Sequence, residues 1–242
     1  MPPRERKSQL IYEYSRTGLR HERDGAPNEE HICLAEDGRA SVIALADGVS
    51  TCLMAGEGAE TAAEAITGLL RRRGDILLEH EEKEIAEIVT GHVLFELEAK
   101  AGKGTLAAAD YSSTLSGVMH DRQKDMLLIY NLGDCMVVTV QGGRCGIAAA
   151  PYDSTDGCCV TTTENAASAA VVRKMAAEGI DFAVICSDGA WREMLSGNRL
   201  KKEVMELIAS GSFEELGAYL EERGCEDDNS FVALRLEHGG LS

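Results

Sequence analysis

Proline is scarce in this chain, four residues in 242, and neither a Ser/Gly-rich tract nor a sharp block of like charge interrupts it. Nothing marks a linker and no fixed-period repeat is visible, so a single domain spanning residues 1–242 is expected. Basic residues are in the minority: 24 Lys and Arg stand against 41 Asp and Glu, a formal charge of -17. That balance repels a phosphate backbone at long range and argues against nucleic acid as a partner. No stretch approaches the roughly 20 apolar residues of a membrane span. The charged start, Met1 to Lys7, has no apolar leader behind it. A cytoplasmic protein without a membrane partner is the expectation.

Paired-cysteine spacing is missing as well. The eight cysteines are scattered, and Cys33, Cys135 and Cys186 lie in apolar, strand-like runs, which reads as free, mostly buried thiols. Adjacent Cys158 and Cys159 lack the CxxC spacing of a zinc or thiol-redox site. A Cys-x5-Arg spacing occurs at Cys186 and Arg192, but it runs through Ser-Asp-Gly-Ala-Trp and has no glycine-rich, anion-cradling character.

What is present is the hydrophobic content of an ordinary globular protein, 44%. Alternation and β-branched residues predict strands near 9–16, 31–35 and 41–46, the last ending on Asp47-Gly48. Ala59, Ala62, Ile66, Leu69 and Leu70 predict a helix that ends with Arg71–Arg73 before Gly74. A second helix, about 79–101, carries Ile85, Ile88, Val89, His92 and Phe95 on one face. Strands follow over 111–120, 126–131, 135–140 and 144–149. Residues 166–175 read equally as a helix or as a loop entering a strand. A buried strand, 182–186, runs into Ser187-Asp188-Gly189. Two helices then carry Leu200, Val204, Leu207, Ile208 and Phe213, Leu216, Leu220, and an edge or penultimate strand over 231–236 closes the chain. This order is not the βαβ alternation of a parallel sheet; it fits an α+β sandwich with antiparallel sheets inside and helix pairs outside.

Three times an apolar strand meets an aspartate beside a turn-forming residue: Asp47-Gly48, Asp188-Gly189 and Asp228-Asn229. Each alone is an ordinary turn. Together they are the carboxylates a hard divalent cation needs, delivered by rigid strand ends.

With Asn28-Glu29-Glu30, Ser112-Ser113-Thr114-Leu115 and Asn131-Leu132-Gly133-Asp134, these segments resemble the ordered motifs of the protein phosphatase type 2C family over residues 28–230. The resemblance implies a four-layer sandwich of two antiparallel sheets flanked by helix pairs. It also implies a binuclear centre of Mn²⁺ or Mg²⁺, with a third, weaker ion in some members. Asp47 would bridge the metals, the Gly48 carbonyl would complete the first site, and Asp188 with Asp228 would hold the second. Asp134 would serve the third ion, and Glu30 would order metal-bound water. A hydroxide bridging the two metals would attack phosphoserine or phosphothreonine on a phosphorylated signalling protein.

The chain also departs from the family. Glu30 stands where Asp is usual, and Val49-Ser50-Thr51 follows Asp47-Gly48 where His or Met and two glycines are common. Val49 cannot be a leaving-group acid, leaving His31 or a metal-bound water; Ser50 or Thr51 reads as a helix N-cap. Arg23 and Arg20 are the candidates for gripping the substrate phosphate. The flap between Asp134 and Asp188 is short. A catalytically weak member that only binds phosphoproteins is the alternative.

Overall fold

Ala40-Ser-Val-Ile-Ala-Leu-Ala-Asp47 is apolar on both faces, the pattern of a strand covered from both sides, and residues 40–46 are buried throughout. It is β3 of a structure, a computed structural model, that describes residues 10–152 and 159–237. The strands are β1 (Ile11–Arg16), β2 (Glu30–Glu36), β3 (Ala40–Asp47), β4 (Leu115–Asp121), β5 (Met126–Leu132), β6 (Met136–Gln141), β7 (Arg144–Ala149), β8 (Val171–Ala176), β9 (Ile180–Cys186), β10 (Leu195–Ser196), β11 (Arg199–Leu200) and β12 (Asn229–Arg235). The helices are α1 (Leu19–Asp24), α2 (Ala55–Leu77), α3 (Glu82–Ala101), α4 (Ala166–Ala169), α5 (Asp188–Met194), α6 (Lys202–Ser210) and α7 (Phe213–Glu221).

Two antiparallel five-stranded sheets, ordered β2-β3-β4-β5-β8 and β1-β12-β9-β6-β7, face each other. Their inner faces meet through Ile43, Leu45, Val118 and Ile129 on one side and Val137, Ile185, Val232 and Leu234 on the other, all fully buried. The outer face of the first sheet packs on α2 and α3, the small Ala59, Ala62 and Ala63 of α2 allowing close approach to β3. The outer face of the second packs on α6 and α7 through Val204, Ile208, Leu216 and Leu220. The four-layer α-β-β-α order expected from the sequence is present, and β12 lies second from the sheet edge.

Local readings differ in several places: the strand expected over 111–120 starts only at Leu115, and Leu200 lies in β11 rather than in a helix. Gly74 does not end α2, which runs on to Leu77; a Cβ there would stand 2.0 Å from Met119 Sδ, so the glycine makes room for a neighbour. The buried face of α3 is Ile85, Val89, Val93 and Leu97, while Ile88 and Phe95 face solvent at 39% and 62% exposure. Residues 166–175 are both alternatives in succession, the single turn α4 and then β8. Neither Ser50 nor Thr51 caps α2; the chain makes an extra turn, closed by Cys52 N–H to the Val49 carbonyl, and the helix starts after Met54. Cys158 lies outside the described residues; Cys33, Cys52, Cys135, Cys145, Cys186 and Cys225 are free thiols.

Candidate metal centre and active site

The antiparallel register sets Glu30, first residue of β2, directly opposite Asp47, last residue of β3. Side chains so paired share one face of the sheet with Cβ atoms about 5 Å apart, and like charges there repel. Asp188 joins them from the other sheet as the first residue of α5, where β9 ends. One ligand oxygen from each of Glu30, Asp47 and Asp188 lies within 4.8 Å of the others.

Burial governs their electrostatics. It pushes Glu30 up to about 8, with the Asp228 and Asp188 charges adding and the Ser230 and Ser187 hydroxyls offsetting part. Asp47 is raised well above the carboxylate range by burial first, then by Glu30, Asp188, Asp134 and Asp227. Asp188 is raised by burial against the opposing pull of Arg192, whose Nη1 lies 2.7 Å from its Oδ2. These carboxyl groups resist ionisation by themselves and accept it beside a cation.

The residues fit divalent ions. Oδ1 of Asp188 is buried without a hydrogen-bond partner, and the buried Oε1 and Oε2 of Glu30 have the Ser230 and Ser187 hydroxyls beside them but no hydrogen bond of regular geometry. Unpartnered carboxylate oxygens converging on one point are what a hard cation takes as ligands, and a buried one costs several kcal/mol if nothing binds it. Gly48 follows Asp47 with its backbone against Ser113 and Ala55, where a Cβ would meet the Ala55 carbonyl at 2.5 Å.

A cleft of about 200 Å³ opens beside this cluster and is lined by Arg20, Asp47, Gly48, Asp134, Asp188 and Asp228, whereas Glu30 is not in its lining. Asp134 is fixed by Trp191, whose Nε1–H donates to its carbonyl at 2.7 Å. Asp228 shares the cleft but not the carboxylate trio. Its Oδ1 accepts the Gly18 N–H at 2.8 Å, and its Oδ2 accepts the Glu29 N–H at 2.8 Å and pairs with His21 Nδ1 at 2.9 Å.

Of the two candidate arginines, Arg20 lines the cleft and pairs with Asp227 at 3.2 Å. Arg23 pairs with Glu226 and lines no part of this cleft. His31 is likewise absent from the cleft lining. The sequence reading missed His21 and Arg192. Arg192 had a signal, four residues beyond Asp188 on a helix; His21 had none, because its partner is 207 residues away.

Cys135 and Cys186 are fully buried, and burial pushes the Cys186 thiol up to about 12 and Cys135 well above its usual range. Neither is a nucleophile at neutral pH.

A family model described as protein phosphatase 2C matches residues 17–223. Among solved structures, a bacterial serine phosphatase is similar at 12% identity with a TM-score of 0.68, over 96% of this chain and 99% of that one. Serine/threonine phosphatase Stp1 from Staphylococcus aureus is similar at 17% identity and a TM-score of 0.64, over 95% and 96% of the two chains. The Mycobacterium tuberculosis serine/threonine phosphatase PstP/Ppp is similar at 15% identity and 0.63, over 94% and 98%. At these identities the likeness is one of fold. No curated protein matches the sequence significantly. The family match takes in most of the chain and the acidic trio within it, and so the chain belongs to the protein phosphatase 2C family, a family of protein serine/threonine phosphatases.

Proposed function

We propose that this phosphatase hydrolyses phosphoserine and phosphothreonine on a signalling protein, using two or three Mn²⁺ or Mg²⁺ ions held in the acidic cleft. The observation that carries the reading is the convergence of buried carboxylate oxygens of Glu30 and Asp188 beside Asp47. Divalent ions bound there would neutralise charge growing on the phosphoryl oxygens and lower the pKa of the attacking water.

The remaining roles fall to the chain itself. Asp47 and Asp188 hold the ions with the Gly48 carbonyl, and Asp134, which lines the same cleft, would serve a weaker ion. Arg20, tethered to Asp227 at the rim, can exchange that carboxylate for phosphoryl oxygens, which match a guanidinium in geometry. Buried Cys135 and Cys186 take no part, so no phosphocysteine is formed.

One observation favours the second reading, a catalytically weak member that binds phosphoproteins: Val49 lines the cleft and supplies no proton to the leaving alkoxide. Mn²⁺-dependent hydrolysis of p-nitrophenyl phosphate and of a phosphothreonine peptide separates the two. Turnover by wild type that is lost in Asp188→Ala supports the phosphatase mechanism. Absence of turnover in wild type, with Mn²⁺ still bound tightly, supports the binding module.

A further inference from the structure

Residues Ser112 to Thr114, which lead into β4, are bonded on both sides. On one side lies the strand end that carries Asp47. Val49 N–H donates to the Ser112 carbonyl at 3.0 Å and Thr114 N–H to the Asp47 carbonyl at 2.8 Å, with Gly48 bridged to Ser113 between them. In an antiparallel ladder the residue between two such bonds turns its own N–H and C=O the other way. Those of Ser113 meet Thr161: the Ser113 carbonyl accepts the Thr161 N–H at 2.9 Å, and the Ser113 N–H donates to Thr161 Oγ1 at 3.2 Å.

A side-chain oxygen thus stands where a third strand would place a backbone carbonyl. Ser113 is fully buried and Thr161 is 2% exposed, so the Thr161 hydroxyl supplies the acceptor that a buried amide needs. That hydroxyl is itself held in place. Thr163 N–H donates to the Val160 carbonyl and Val160 N–H to Thr163 Oγ1, closing a turn around Thr161. Beside it, Ser112 Oγ donates to the Ala109 carbonyl at 2.8 Å, which leaves it to accept from the Thr162 hydroxyl. All three segments reach the cleft: Asp47, Gly48 and Val49 from the first, Thr114 from the second and Val160 from the third line it.

We propose that Thr161 is a positioning residue for the active-site cleft: its hydroxyl, acting through Ser113, fixes the place of Asp47 and Gly48 on the far side of the Ser112–Thr114 segment. Backbone groups hold that segment to the Asp47 side, while a hydroxyl that a single substitution can delete closes the opposite side. The consequence for metal affinity rests on the metal-centre reading above; the consequence for backbone order does not.

The test compares wild type, Thr161→Val, Thr161→Ser and Tyr130→Phe by amide exchange in EDTA, followed by NMR, and by Mn²⁺ titration calorimetry on the full chain. Tyr130→Phe is the control, because it deletes another buried hydroxyl contact, 2.9 Å to Thr90, away from the cleft. In Thr161→Val the amides of Val49 and Thr114 are expected to exchange at least about threefold faster, over and above any change in the amides of β12. Its Mn²⁺ affinity should fall by about three- to tenfold, less than the 10- to 100-fold typical of a group bonded to the ligand itself. Thr161→Ser, which keeps the hydroxyl, and Tyr130→Phe should stay within about twofold of wild type in both readouts. Unchanged protection at Val49 and Thr114 in Thr161→Val, or a change no larger than in Tyr130→Phe, overturns the proposal. Protection lost there with Mn²⁺ affinity kept also overturns it, since Asp47 then holds its place without Thr161. If Thr161→Val does not fold, Thr162→Val decides by the same two amides and thresholds. A wild-type protein that binds no Mn²⁺ sinks the metal-centre reading instead, and the exchange measurement, made without metal, then decides the positioning role alone.

Discussion

Glu30 and Asp47 face each other at the end of a two-strand ladder, where repulsion and burial act on the same side of the balance. In metal-free protein this makes a pH signature. The folded state holds the Glu30 proton up to about 8, whereas the unfolded chain releases it in the ordinary range near 4.5. Between those values the folded state binds more protons, so metal-free stability is greatest below the lower value and falls as pH rises through the higher one. One such group gives a slope of up to about 1.4 kcal/mol per pH unit. Urea unfolding in EDTA at pH 5, 6.5 and 8 should show this decline, and Glu30→Gln should flatten it. A stability that rises over that range would contradict the account. At the same scale, the buried Cys135 and Cys186 should not react with a thiol reagent in native protein at pH 7.5, and hydrolysis should survive such treatment. Loss of activity on modification of either thiol would oppose the metal mechanism.

Helix α2 shows how the elements position these residues and why some of them were hard to read. Gly58 in the first turn of α2 and Gly91 in the middle of α3 are both helical glycines, and replacing either by alanine gains up to about 1 kcal/mol of helix propensity. At Gly91 a methyl group would find nothing within 4 Å, so Gly91→Ala should stabilise by about 0.5–1 kcal/mol. At Gly58 a Cβ would stand 2.1 Å from the Tyr111 carbonyl oxygen, backbone that cannot swing aside. Overpacking of that kind costs about 1–3 kcal/mol and outweighs the propensity, so Gly58→Ala should lower the melting temperature. Equal shifts in the two variants would show that α2 is not pressed against the segment leading to Ser112-Ser113-Thr114. Most strands were legible because alternation and turn residues are local signals. The end of α2 was not, since Arg71–Arg73 with Gly74 imitates a helix terminus while Gly74 answers to Met119 across the layer. Ile88 and Phe95, seven residues apart on the solvent side of α3, imitate a buried stripe. Helix α5 is seven residues long, too short for periodicity to reveal.

For the whole molecule, the sandwich gathers carboxylates from strand ends of both sheets at one edge of a chain whose formal charge is already -17. Bound cations should therefore stabilise the entire fold. Mn²⁺ at 100 times its dissociation constant adds about 2.7 kcal/mol, which for a domain of this size is roughly 5–10 °C in melting temperature. A melting temperature unchanged by Mn²⁺ would mean that the cluster is not a folded-state metal site. The sandwich was legible from the order of its elements, and the meeting of Asp47 with Asp188 from strand ends, since each sits where an apolar run ends on a turn residue. The pairing of Glu30 with Asp47 and of Asp228 with His21 was not, because the first depends on strand register and the second on a histidine from the far end of the chain. The most direct measurement is anomalous diffraction from a crystal of this chain equilibrated with Mn²⁺. A peak is expected within coordination distance of Glu30, Asp47 and Asp188; Mn²⁺ bound only elsewhere, or no peak in this cleft, would contradict a metal centre built on those three carboxylates.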